Sequence, residues 1–244
     1  MKRLLGVVCV LVAASATADT LFEVKAAVNR LAAKTPVRAT FTSQANIRTA
    51  GKWANNTMVR TVSLEAAHDA NGITFTIPQT LLDQATHEVA SRAADTPAQT
   101  AIRGMSPSTV VEALDFRNEL LRLLDGATVA AEKRAIFRGK STRLLTLKLA
   151  PPKQGKDTIT IGEGKSERTL NLWIGDDNLP IAGDQSDRMT AGFLMFHATT
   201  ESKTTYSFAH VADRLVLAHV ETSSSGSGMG QKFDEATVQT LTLH

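Results

Sequence analysis

Cysteine, aromatic residues and long apolar runs are all scarce in this 244-residue sequence. The single cysteine, Cys9, lies near the N-terminus, and aromatic residues make up only 5% of the chain. If the N-terminal segment is removed, a disulfide framework, a thiol nucleophile and a thiolate metal site are all excluded. No later segment is apolar for long enough to cross a membrane as a helix. Stability must therefore come from a hydrophobic core, which a chain of this length can build as one domain.

The N-terminus has the three parts of an export signal. Two basic residues precede an apolar run at 4–14, and Ala16 and Ala18 form an A-x-A cleavage site. We predict a signal peptide at 1–18, cleaved after Ala18, and a single domain at 19–244. The apolar run is short for a membrane span, so an uncleaved anchor is the alternative. A leader followed by a cysteine-free chain favours the bacterial periplasm.

The charge balance argues against a nucleic-acid partner. The whole chain carries a formal net charge of +3, from 27 basic and 24 acidic residues. Cleavage of the leader would remove two basic residues and no acidic ones, which leaves 25 against 24 and a net charge of +1. The basic isoelectric point therefore says little about nucleic acid, and we expect none to bind.

The most strongly apolar helical pattern covers residues 106–126. Ser106 can cap the helix, and Pro107 suits its first position because the missing N–H costs nothing there. Gly126 is a natural end. We predict a bend at Asp115 and Phe116, because the polar residues 117–119 interrupt the apolar stripe. The apolar positions recur at helical spacing and predict one broad buried face: Val110, Leu114, Leu121 and Leu124.

Most of the remaining chain alternates between apolar and polar residues, as strands with one buried face do. Helices are predicted at 21–34 and 80–94, and a loop at 95–105. Asn71 and Gly72 predict a tight hairpin. About eleven strands follow from the pattern, at roughly 37–48, 58–64, 73–77, 128–138, 143–149, 169–174, 181–188, 192–199, 204–212, 215–222 and 233–243. We predict an α+β fold in which the sheet curls around the helix at 106–126.

Two short motifs resemble one known superfamily. The first is V-R-A-T-F-T-S-Q at 37–44, which follows the opening helix, and the second is L-W-I-G-D-D-N-L-P-I at 172–181. With the leader, the length and the order of elements, the chain is similar to the outer-membrane lipoprotein-sorting carrier superfamily. The resemblance implies an incomplete antiparallel β-barrel, here of about eleven strands, curved around helices that line or lid its concave side. It also implies an apolar cavity that takes acyl chains.

On this resemblance we expect a periplasmic, non-enzymatic carrier or binding protein for lipid or lipoprotein acyl chains. We expect a monomer without cofactor or metal, which transfers its ligand to a membrane receptor. The residues predicted to line the cavity are Phe41, Ile47, Val110, Leu114, Leu121, Leu124, Phe193, Met195 and Phe208. The alternative is a periplasmic regulator or envelope-assembly factor that binds a protein partner through its sheet edge or a basic face.

The local sequence holds only fragments of catalytic and metal-binding motifs. The pair His87 and Glu88 lacks the second histidine of an H-E-x-x-H motif. His219 and Glu221 share one strand face and could hold a metal together with a histidine of a neighbouring strand, or could be ordinary strand residues. The neighbours that would complete such a site are His197 and His210. No nucleophile elbow is present, so a hydrolase would need scattered catalytic residues.

One charged segment stands out from the rest of the chain. Eight basic residues occur with no acid among them: Lys133, Arg134, Arg138, Lys140, Arg143, Lys148, Lys153 and Lys156. Such a sheet region could meet anionic headgroups or an acidic peptide, or could be a solvated sheet face.

Overall fold

A computed structural model describes residues 12–52, 55–92, 96–103, 105–151, 163–193, 196–228 and 230–244. Its helices are α1 (Val12–Asn29), α2 (Gln79–Ala90), α3 (Pro97–Arg103), α4 (Pro107–Leu114) and α5 (Arg117–Leu124). Its strands are β1 (Val37–Gly51), β2 (Asn56–Asp69), β3 (Gly72–Thr76), β4 (Thr128–Phe137), β5 (Lys140–Lys148), β6 (Glu163–Ile174), β7 (Pro180–Phe193), β8 (Phe196–Val211), β9 (Arg214–Gly228) and β10 (Gln231–Leu243). Within these ranges no helix has the length and apolar character needed to cross a membrane.

The strands form one antiparallel sheet in the order β3-β2-β1-β10-β9-β8-β7-β6-β5-β4. The first strand and the last strand of the chain are therefore neighbours in the middle of the sheet, and Ala39 lies opposite Leu243. In the described part of the chain, β3 and β4 lie at the two edges and do not pair with each other. The sheet is thus a curved, incomplete barrel with helices, which confirms the predicted α+β fold.

The alternating residues of β1 build the buried face as predicted. Ala39 and Phe41 are buried at 0% and 2% exposure, whereas Arg38, next to Ala39, is exposed. The strand register places Phe41 opposite Leu64 of β2 and Leu241 of β10, and both are buried. A continuous apolar surface therefore crosses the central strands, and it needs a second layer to cover it.

The helices supply this second layer on one face of the sheet. Helix α4 contacts β9, β1 and β2, α5 contacts α1 and β9, and α3 contacts α2 and β2. The core between the layers includes Val24, Val28, Val110, Leu114, Leu120, Leu124, Leu145, Leu147, Leu170, Leu172, Ile174 and Leu215. We call the other side of the sheet, which carries none of the helices described above, its outer face.

The helix predicted at 106–126 is two helices, because Asp115 has extended backbone angles, with φ −153° and ψ 92°. Ser106 precedes α4 as expected, but its hydroxyl bonds to the Ser108 hydroxyl at 2.6 Å and not to the helix backbone. Helix α3 was missed, since its sequence lies in the segment predicted as a loop at 95–105. Helix α1 spans Val12–Asn29 and not 21–34.

The strand count is ten among the described residues, where about eleven were predicted. The strand predicted at 192–199 is not one strand, because β7 ends at Phe193 and the antiparallel β8 begins at Phe196, which lies opposite Phe193. This segment, with sequence F-L-M-F, has none of the turn residues that normally mark a hairpin, so its apolar character favoured a continuous strand. Strand β8 then runs unbroken to Val211 and joins two predicted strands.

Candidate functional site

Four of the predicted cavity residues lie together in the core between the helices and the sheet. Val110, Leu114 and Leu124 are 0% exposed, and Phe41 is 2% exposed. A side chain without accessible surface borders no space large enough for a water molecule. Protein atoms fill the interior around these residues, so an acyl chain could reach them only if a helix moved.

The other predicted cavity residues lie at the margin of this core or beyond it. Leu121 and Phe208 are partly buried against the core, and the ring of Phe208 lies 5.5 Å from that of Phe116. Ile47 is partly exposed on β1, opposite Met58 and Glu235. Two further candidates are not placed: Met195 lies outside the described residues, and so does the side chain of Phe193. Acyl-chain binding at these positions stays a prediction.

The turn between β8 and β9 binds the loop that follows α1 through hydrogen bonds of Asp213. The Asp213 carbonyl accepts the N–H of Ala33 at 3.0 Å. The Asp213 carboxylate accepts the N–H groups of Lys34 at 2.8 Å and Thr35 at 3.0 Å. These backbone donors stabilise the charged carboxylate and lower the pKa of Asp213 to about 2.

Arg214, the next residue, is a buried cation at 1% exposure. Its Nε donates to the Thr35 carbonyl at 2.6 Å, and its Nη1 lies 2.7 Å from Nδ1 of His68 on β2. The next residue on β9, Leu215, accepts the N–H of Phe116 at 2.8 Å. One strand end therefore holds the loop after α1, strand β2 and the α4–α5 junction together.

The outer face carries a hollow of about 990 Å³. Strand register aligns Ser186, Lys203, Ser223, Ala236 and Asn46 in one row across it. The floor of this outer-face hollow is made of small side chains, and charged side chains stand around it. The charged residues that line it include Arg48, Glu201, Lys203 and Asp234.

A second cleft, of about 240 Å³, lies on the same outer face beneath the tip of the β4–β5 hairpin. The ring of Phe137 lies 5.1 Å from that of Trp173, and Arg138 donates to the Ser207 hydroxyl at 3.3 Å. The far side carries His219 and Glu221, joined at 2.9 Å. This cleft adjoins the outer-face hollow in the strand direction, because its residues lie two positions along the same strands.

The metal site predicted around His219 and Glu221 needs a third ligand from His197 or His210, and His210 has other partners. His210 lies three residues along β8 from Ser207, the residue opposite His219, and its ring is 3.2 Å from the Pro180 carbonyl and 3.5 Å from Asp177. The side chain of His197 lies outside the described residues. Across the described ranges, no three His, Cys, Asp or Glu side chains come together as metal ligands.

The basic segment is partly neutralised. Arg143 contacts Glu23 at 3.2 Å and Glu132 at 3.9 Å. The other described members before Arg143 are exposed: Lys133, Arg134, Arg138 and Lys140. Lys153 and Lys156 lie outside the described residues.

Sequence reasoning missed the anchoring role of Asp213 and Arg214. The only signal was their place in the gap between the strands predicted at 204–212 and 215–222, where a polar pair is typical of a turn. Their partners lie 146 to 179 positions away along the chain, and no local spacing could indicate such contacts. The outer-face hollow was missed for the same reason, because six strands contribute to it.

Comparison with known proteins adds little to this geometry. No family model matches the chain, and no curated protein matches it. Among solved structures, the chain is similar to one described as the crystal structure of MucB in complex with MucA(peri), with 10% sequence identity over 93% of each chain and a TM-score of 0.22. This TM-score is too low to indicate a shared fold, so the fold class follows from the sheet topology alone.

Proposed function

We propose that this chain is an exported, non-enzymatic binding protein of the periplasm, and that its ligand is a polypeptide segment held on the outer face of the sheet. The supporting observation is the outer-face hollow of about 990 Å³, which extends from Ser186 on β7 to Thr57 on β2. Neighbouring strands are about 4.8 Å apart, so six strands give a span of about 24 Å, the length of about seven extended residues.

The lining of the hollow favours a polypeptide over a hydrocarbon. An acyl chain gains free energy only from contact with apolar surface, whereas Asn46 and Ser223 offer hydrogen-bonding groups. A polypeptide has backbone N–H and C=O groups that these side chains can bond. Charges of both signs around the floor, such as Lys203 and Glu201, would fix the direction and register of the bound segment.

A photo-crosslinking amino acid in place of Ser223 tests this proposal in cells. We expect irradiation to give a discrete protein adduct, because Ser223 lies on the floor of the hollow. The same amino acid in place of Gln84, exposed on α2 in the helix layer, should give no such adduct. Absence of an adduct at Ser223, or an equal yield at both positions, would show that the outer face is not the binding surface.

An acyl-chain carrier is the second candidate, favoured by the construction of the helix layer. Helices α4 and α5 have only eight residues each and are separated by the extended Asp115, which would be the hinge if one of them moved off the sheet to admit a ligand. Leu121 and Phe208 at the margin of the core would then contact the ligand. Each buried CH₂ would contribute about 0.8 kcal/mol.

Native mass spectrometry of protein purified from cells distinguishes the two candidates. Co-purified lipid, together with binding of a fluorescent fatty acid, would support the carrier function. An empty protein that does not bind the fatty acid would exclude it and leave the polypeptide proposal intact.

A further inference from the structure

Positive charge is concentrated in the β4–β5 hairpin. Residues 133–148 contain six basic residues and no acidic residue, whereas the formal net charge of the whole chain is +3. The rest of the chain therefore sums to −3. A protein with this distribution turns its positive end toward a negatively charged surface.

Most of this charge is available to a partner. Arg143 is the exception, because Glu23 and Glu132 lie beside it. Lys133, Arg134 and Lys140 are exposed, and no carboxylate of the described residues lies within ion-pairing distance of any of them.

An exposed apolar side chain lies on the same strand as two of these cations. Ile136 is 80% exposed on β4. By register it shares one side of the hairpin with Arg134 and Ser141, while Lys133 and Lys140 lie on the other side. An aliphatic side chain stabilises a protein when it is buried away from water, and Ile136 is not buried in the folded chain. Only a binding partner could cover it.

The hairpin holds Ile136 in a fixed position. Arg138 and Gly139 form its two-residue turn, with positive φ angles of 50° and 79°. Phe137 packs on the ring of Trp173, and Arg138 donates to Ser207. Pairing between β5 and β6 begins only at Arg143, so the tip extends past the neighbouring strand.

We propose that the β4–β5 hairpin docks the protein on an anionic phospholipid surface. Because β4 lies at an edge of the sheet, a surface that meets this edge contacts side chains on both sides of the hairpin. Ile136 then enters the boundary between headgroups and acyl chains, and Lys133, Arg134 and Lys140 contact the lipid phosphates. An acidic polypeptide would need the cations but would have no use for an isolated aliphatic side chain beside them, so the combination favours a membrane. This inference is independent of the ligand on the outer face.

Co-sedimentation of the purified protein with lipid vesicles tests the proposal. We expect binding to phosphatidylcholine vesicles that contain about one-third phosphatidylglycerol, weaker binding at high salt, and none to pure phosphatidylcholine. The double substitution Lys133→Ala and Lys140→Ala should weaken partitioning by about fivefold per cation. Ile136→Ser should weaken it by about tenfold.

Matched controls separate a specific surface from a general effect. Val59→Ser removes another exposed apolar side chain, 52% exposed on β2. The double substitution Lys165→Ala and Lys232→Ala removes two exposed cations outside the hairpin. Both controls should bind as the unsubstituted protein does, and circular dichroism should show that every variant is folded.

Three results would overturn the proposal. The first is a lack of binding to anionic vesicles. The second is an equal loss in the control variants, which would mean that net charge alone attracts the protein. The third is dependence on Lys133 and Lys140 without dependence on Ile136, which would point to an acidic polypeptide and would be checked with polyglutamate.

Discussion

At the scale of single residues, Arg214 and His68 form a bond that only one protonation state of His68 allows. Arginine only donates, so Nδ1 of His68 must accept, and the imidazole must be neutral with its proton on Nε2. Burial, and then the charge of Arg214, lower the pKa of His68, whereas Asp115 and Asp69 act in the opposite direction. The bond between β2 and β9 therefore depends on pH.

We predict that acidification from pH 7.5 to pH 5 lowers the free energy of unfolding through His68. The unfolded chain titrates near pH 6.5, and the folded pKa is lower, so the folded state binds fewer protons. Its contribution is complete above pH 6.5 and is lost as pH falls toward the folded pKa. His68→Asn keeps a neutral acceptor and should flatten this dependence, measured by urea unfolding at several pH values.

His87→Asn is the control for this experiment, since His87 is exposed on α2. Its pH dependence should match that of the unsubstituted protein. If His68→Asn also retains the full dependence, another group is responsible and the neutral-histidine interpretation is wrong.

At the scale of elements, α2 and α3 are joined by one carboxylate. Glu88 is only 6% exposed, and its oxygens accept the N–H groups of Ala98 and Gln99, each at 3.0 Å. These N–H groups lie in the first turn of α3, where no helical carbonyl can accept them. A residue that looks like half of a metal-binding motif in the sequence therefore caps a neighbouring helix.

We predict that Glu88→Ala costs about 1–3 kcal/mol of folding free energy, because it leaves these donors without a partner. Hydrogen exchange at the Ala98 and Gln99 amides should become faster. The stability of Glu88→Gln should lie between those of the unsubstituted protein and Glu88→Ala, since glutamine keeps an acceptor but loses the charge. Asp83→Ala removes an exposed carboxylate from the same helix and should change stability by about 0.5 kcal/mol or less. An equal effect at Asp83 would contradict the capping role.

At the scale of the whole molecule, the packed interior makes a further prediction. Leu114 is 0% exposed, so Leu114→Ala should cost about 2–5 kcal/mol in chemical unfolding. Val111→Ala, at a position 37% exposed in the same helix, should cost about 0.5 kcal/mol or less. Similar small effects at both positions would mean that Leu114 faces free space, as an open lipid cavity requires.

Those features of the fold that depend on neighbouring residues could be predicted from the sequence. The alternation of apolar and polar residues in β1 predicted that Phe41 is on the buried face, and Phe41 is buried. Asn71 and Gly72 predicted a tight turn, and they join β2 and β3 in a hairpin. The sequence did not predict the apolar reversal after Phe193, because that turn lacks the usual residues. Contacts such as that of Arg214 with His68 depend on how distant strands come together, so local spacing could not reveal them.

The place of the last strand has a consequence for assembly. Strand β10 lies between β1 and β9, and the final N–H, of His244, reaches the Arg38 carbonyl at 3.0 Å. Until those 13 residues are made, no strand pairing joins the three earliest strands to the other six, although α4 and the bond of Arg214 to His68 connect the two groups. A chain that has not yet formed β10 has two incomplete sheets with unpaired edge strands. The pairing of β10 with β1 joins segments that are distant in sequence, and such pairing is slow. A nonsense codon within β10 would therefore remove the pairing of β1 with β9 through β10 at the centre of the sheet.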